Sequence, residues 1–170
     1  MKEKIKNFAS KFYTDKDIFH DFFHAEQILK KAMEINQKYN VNKKILRAGA
    51  YFHGAIKEHE KEIIIFLKNN NYLANEINEI ISVAKESHTL SNPKTLAGKI
   101  LHDAHILAGG KEFLLIKTFS IGALNGRNLK DSAKYFLENI EKINCVLPEC
   151  KKEFAKVKKI SKRFAKKLLA

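Results

Sequence analysis

Four histidines, His24, His53, His88 and His105, stand along this 170-residue chain at places where an imidazole can serve as a metal ligand. Neutral imidazole nitrogen suits Zn²⁺, Fe²⁺ or a similar transition ion better than Mg²⁺, which prefers oxygen. An ion held this way polarises a phosphoryl or carbonyl oxygen and activates water, so hydrolysis is the chemistry these residues point to. His24 precedes Ile28 and Ala32 on one helical face, at the core end of that stripe. His53 closes the small-residue segment Ala48-Gly49-Ala50-Tyr51-Phe52, whose slimness lets neighbouring elements approach closely. His88 opens a loop after the Ile77, Ile80, Ile81 and Ala84 stripe.

The segment Leu101-His102-Asp103-Ala104-His105-Ile106-Leu107 needs helical geometry to be read. With Ala104 at the centre of the buried face, Ile100, Leu101, Leu107 and Ala108 fall within about 60° of it. His105 and Asp103 then flank that face on opposite sides, each about 100° from its centre, and His102 points away. One of the pair faces a given site, and both remain candidate metal ligands. His20 reads as a cap or as support for His24 from behind, and His59 and His102 read as surface residues.

Taken together, these motifs resemble the HD-domain superfamily of metal-dependent phosphohydrolases, whose ligands are a histidine, an adjacent His-Asp pair and a distant aspartate, all on helices. The likeness is closest to small bacterial HD hydrolases whose first motif, H-D-x-x-H, is matched by His20-Asp21-Phe22-Phe23-His24 with Ile28. An apolar run ending in His-Asp and followed by lysine resembles Ala50 to His53-Gly54 with Lys57. The further histidine of two-metal members resembles His88, and the motif Asp-Ala-Asp-x-Leu resembles Asp103 to Leu107. The likeness spans residues 18–125.

Two positions depart from the family pattern. Gly54 stands where the paired aspartate is expected, and His105 stands where the last aspartate is expected. The resemblance thus implies a neutral, nitrogen-rich site holding one divalent ion (Zn²⁺, Fe²⁺ or Mn²⁺) rather than a bridged pair. It also implies a phosphorylated small-molecule ligand, with Lys57 as the candidate catalytic contact to phosphate. Arg127, a rare arginine in the polar turn Asn125-Gly126-Arg127-Asn128, is the candidate substrate-binding residue.

Composition narrows the classes. Glycine and proline are scarce, at 7 and 2, and 45% of residues are apolar, which favours packed helices over strands or disorder. Cys145 and Cys150 form neither a repeated metal motif nor a disulfide framework, so a reducing cytoplasm is expected. No secretory signal is evident at the start of the chain, and the longest apolar runs are too short to cross a bilayer, so no membrane association is expected. The formal charge is +13, yet only three of the 32 basic residues are arginine, the side chain nucleic-acid readers favour. From residue 151 onward nine basic residues face Glu153 alone, so a nucleic-acid partner through the last helix is the less favoured alternative.

Helical periodicity runs through nearly the whole chain. Helices are expected over residues 2–13, from the cap-rich stretch 14–17 onward to Tyr39, and over 43–53, 60–68, 73–87, 95–108, 111–124, 128–144 and 148–169. Asn42 is the expected cap of the third, and Gly109-Gly110 the stop after the sixth. In the last helix Phe154, Val157, Ile160, Phe164 and Leu168 are expected to form one inward stripe against a basic face. The whole, residues 1–170, reads as one all-α helical domain, HD-domain-like, with its motifs in 18–125 and two further helices over 128–169. Metal-dependent phosphohydrolysis of a nucleotide or other small phosphoester is the leading functional expectation. A catalytically inactive HD-like binding or interaction module is the second, because both motif carboxylates are missing. Oligomeric state has no reading in the sequence.

Overall fold

The computed structural model describes residues 2–17, 19–110 and 112–170, and among them there is no strand. The chain order is α1 (Lys2–Ser10), a 3₁₀ turn (Lys11–Tyr13), α2 (Phe22–Tyr39), α3 (Lys43–Phe52), α4 (Ile56–Asn69) and α5 (Ala74–Glu86). After these come α6 (Leu96–Leu107), α7 (Phe113–Leu124), α8 (Leu129–Asn139), a second 3₁₀ turn (Ile140–Lys142) and α9 (Pro148–Lys167). Lys111, expected to begin the seventh helix, lies outside the described residues.

The centre is built by α2, α3, α5 and α6. α2 lies against both α3 and α6, and α5 against both α3 and α6. α1 covers α3, α4 covers α5, and α7, α8 and α9 close the other side through α8 and α6. Local chemistry explains most of the boundaries. Asn42 accepts the Lys44 N–H at the start of α3, and Thr95 accepts the Gly98 N–H at the start of α6. α2 ends at Asn40 in the left-handed conformation (φ 53°), with Asn36 clamping Val41 through two hydrogen bonds of 2.7 and 2.9 Å. Gly49 is where α3 meets α5 and α6, since a Cβ there would stand 2.7 Å from Val83 Cγ1.

Three expectations change. α2 is capped not by the 14–17 stretch but by Asp21, whose carboxylate accepts the His24 N–H at 2.9 Å. α4 starts at Ile56, not at residue 60, because the Ala55 carbonyl closes a first turn and Ile56 is buried. The charge-rich segment that hid this turn carries the kink at His59, which stacks on Phe12. In α9 the inward stripe is Cys150, Phe154, Val157, Ser161 and Ala165. Ile160 and Phe164 stay 42% and 47% exposed, while the small Ser161 and Ala165 beside them are the residues that turn inward. Among the described residues no helix is long and apolar enough to cross a membrane.

Candidate functional site

His24 enters the site in the first turn of α2, next to the Asp21 cap that sets the helix start. His53 follows the last residue of α3, and His105 lies in the last turn of α6. The three imidazoles converge where these elements meet. Ring centroids are 5.9 Å apart for His24 and His53, 5.3 Å for His24 and His105, and 5.1 Å for His53 and His105. One nitrogen of each lies within 4.8 Å of the others.

Backbone carbonyls set which nitrogen is free. A carbonyl only accepts, so the His53 Nδ1–H donates to Ala50 O at 2.7 Å and the His105 Nδ1–H donates to Ser87 O at 2.9 Å. In both rings Nε2 is left as the ligand atom, which is how protein metal sites commonly orient imidazoles. His24 Nε2 is buried and has no hydrogen-bond partner. A buried, unpartnered ring nitrogen beside two oriented imidazoles fits a tetrahedral or five-coordinate transition ion. The residues present therefore suit the metal that the motif pattern implies.

Burial keeps these rings neutral, as ligation requires. Desolvation, followed by the neighbouring His105, lowers the His24 pKa to about 3. Desolvation also takes His53 to about 3 and holds His105 well below the usual histidine value. The sign of the pH effect follows directly. For His24 and His53 the unfolded chain binds the proton near pH 6.5 and the folded chain near 3, and His105 shifts in the same direction. The stability contribution of those two is therefore complete above about 6.5 and is lost as pH falls toward 3, by up to about 1.4 kcal/mol per pH unit for each. The urea midpoint of metal-free protein is expected to fall steadily from pH 7 to pH 5; an unchanged midpoint contradicts the burial of these rings.

Gly54, the position without the family's carboxylate, is closed off from the N-terminal side. A Cβ there would stand 3.0 Å from the Tyr13 ring and hydroxyl. The Tyr13 hydroxyl donates to Tyr51 O at 2.9 Å, accepts the Gly54 N–H at 3.3 Å, and lies 3.5 Å from His53 Nδ1. The Lys16 ammonium binds Gly54 O at 2.8 Å. Tyr13 thus braces the backbone that carries His53. Tyr13→Phe is expected to cost about 1–3 kcal/mol by leaving buried polar groups unpaired, measured as a lower denaturation midpoint.

Other candidates fall elsewhere. Asp103 is completely buried and points away from the imidazoles: its carboxylate accepts from Val146 N, Leu147 N and the His102 ring at 2.7–3.0 Å. His102, read from the sequence as a surface residue, is buried by the same arrangement. α6 is covered on nearly all sides, so no face of it was free for a surface histidine. His88 is exposed and outside the group of three, though close enough to disfavour charge on His53 and His105. Lys57 is exposed on the first turn of α4 and does not line the adjoining cavity. His59 is partly exposed against Phe12, and His20 pairs with Asp17 at 2.8 Å.

That cavity, of about 300 Å³, is bounded by His24 and His105 at one side and by α7, α8 and the second 3₁₀ turn. Arg127 lines it, with its guanidinium 4.1 Å over the Tyr135 ring. Lys117, which sequence reasoning passed over, also lines it, and burial lowers its pKa. Its signal was present: Lys117 is the single charged residue in the apolar helix Phe113–Leu124. Phe113 from the same helix stacks on His24 at 5.5 Å. No acidic side chain lines the cavity.

No family model and no curated protein match the chain. Solved structures do. An HD-superfamily hydrolase from Bacillus thuringiensis aligns at TM-score 0.80 with 17% identity, over 99% of this chain and 94% of that one. Bacillus subtilis YpgQ, crystallised with ADP, aligns at TM-score 0.78 with 15% identity, over 99% and 96%. The Lin1889 protein of Listeria innocua aligns at 0.77 with 22% identity, over 100% and 96%. Agreement over the whole length at such low identity is agreement of architecture, with helix order and packing retained while most side chains differ. This chain has the HD-domain fold.

Proposed function

We propose that the protein is a metal-dependent phosphohydrolase acting on a small phosphoester, with one divalent transition ion at His24, His53 and His105. The observation that carries this reading is the trio of imidazoles, His24 and His53 buried and His105 partly so, beside a cavity lined by His24, His105 and cations and by no carboxylate. The chemistry such an ion supplies when bound is polarisation of a phosphoryl oxygen and acidification of a water. The chain's own residues do the rest. His53 and His105 are held in one tautomer by Ala50 and Ser87, so their Nε2 lone pairs are already aimed. Lys117 places positive charge beside His24, where phosphoryl charge develops, and partial burial strengthens its effect. Arg127 offers a second anion contact in the same cavity. That YpgQ, of the same fold, holds ADP supports a phosphate-bearing ligand here.

A non-catalytic binding module is favoured by one specific observation: the trio contains no carboxylate to act as a base. The experiment that separates the two is elemental analysis of purified protein followed by phosphate release from a phosphoester panel with Mn²⁺, Fe²⁺ or Zn²⁺. About one equivalent of metal with turnover supports the hydrolase. Metal and ligand binding without turnover leaves the binding module, and absence of both removes the metal reading. The terminal helix gives nucleic acid less support, since α9 buries its stripe in the fold and ties Lys158 and Lys162 to Glu141.

A further inference from the structure

Resting on the reading of this site as a phosphoester centre, the geometry points to a substrate class: we infer that the site prefers a phosphomonoester with an alkyl or aryl body over a nucleoside phosphate. The cavity follows one face of α7. Phe113, Lys117 and Ile121 recur at four-residue spacing along it, so the lined stretch is about 12 Å long at 1.5 Å per residue. The imidazole end is at Phe113, which stacks on His24. The opposite end is near Arg127, whose backbone N–H bonds to Gly122 O beyond Ile121. Charge is supplied at Lys117, close to the imidazoles, at Arg127, past the end of the helix, and at Lys142 of the second 3₁₀ turn, whose ammonium is held by the Asn139 carbonyl. None of the three has a carboxylate partner among the described residues.

Between those ends the walls are hydrocarbon: Leu90, Ile106, Ile121, Phe136, Ile140 and Ile143. Four uncharged polar side chains also line the cavity, Thr89, Thr118, Tyr135 and Asn139, and two are already engaged. The Thr118 hydroxyl donates to Leu114 O at 2.9 Å. The Asn139 amide donates to Tyr135 O at 2.8 Å, and its carbonyl oxygen accepts from Lys142 at 2.8 Å. The Thr89 and Tyr135 hydroxyls have no bond among the described residues. Ribose hydroxyls and base edges entering here would lose water and meet only two free hydroxyls in an otherwise hydrocarbon stretch, which works against binding. An alkyl or aryl group loses no hydrogen bonds and removes apolar wall from water.

Calorimetric titration of the full chain, metal-free and loaded with Mn²⁺, tests this with inorganic phosphate, ethyl, butyl and hexyl phosphate, and AMP. Affinity is expected to rise about fivefold to tenfold for each two methylenes added, with hexyl phosphate at least about tenfold tighter than AMP. Ile121→Asn, and Ile143→Asn on the facing wall should the first variant fail to fold, are expected to flatten the chain-length series. AMP binding as tightly as hexyl phosphate, or a flat series in the parent chain, overturns the inference while leaving the phosphoester reading in place. If no probe binds, inorganic phosphate included, both fall together.

Discussion

His53→Ala is expected to lower divalent metal affinity by about 10³-fold and to bring phosphoester turnover to background. The size follows from what is removed. Loss of a partner that merely orients a ligand costs about 10–100-fold in metal affinity, and His53 supplies one of three ligand nitrogens directly. The fold is expected to survive, because His53 sits at the end of α3 and its own hydrogen bond runs to Ala50 in the preceding turn. Helical circular dichroism close to that of the parent, together with lost metal in equilibrium dialysis, is the expected pair of results. Parent-like metal content and turnover in the variant would remove the three-histidine centre. The same substitution at His88, exposed and outside the trio, is expected to change metal affinity by no more than a few-fold.

Asp103→Ala is expected to be the most damaging single change to stability, by about 3–5 kcal/mol. The carboxylate is buried without exposure, accepts the N–H groups of Val146 and Leu147 just before α9, and pairs with the buried His102 ring at 2.8 Å. Alanine removes all three partnerships at once and leaves three donors without water. Asp103→Asn keeps one carbonyl oxygen of the same shape and is expected to lose less. Urea denaturation gives the magnitude, and limited proteolysis gives the place: cleavage should appear first around residues 144–148, where α9 detaches. Metal affinity of the folded Asp103→Asn protein is expected to match the parent. Loss of metal with the fold intact would mean that this carboxylate belongs to the site after all.

Asp103 and His105 also show how far the sequence could be read. Helical spacing puts them on opposite sides of Ala104, but α6 is covered on nearly all sides, with His102 and Asp103 buried as well, so there is no single inward face for them to flank. Which side meets α2 and α3, and which meets the segment before α9, depends on elements more than forty residues away in the chain. His105 received the imidazoles of His24 and His53; Asp103 received two backbone donors. Lys57 and Lys117 make the same point. Lys57 had the motif position after His53, but the first turn of α4 directs it to solvent, while Lys117 was conspicuous only as a charge within an apolar helix. Tyr13 carried no signal at all. Its role rests on the space that Gly54 leaves open, and only a packed structure shows what enters it.

Cap residues, glycine stops and helical spacing act within a few residues, so the helical class and most element boundaries were present in the order of amino acids. Three of the four candidate histidines, His24, His53 and His105, come together in the structure, while His88 stays exposed outside them. Face-to-face assignment was not present. It emerges when helices distant in the chain exclude water between them, and that burial decides which polar atoms find partners and which, like His24 Nε2, are left waiting for one.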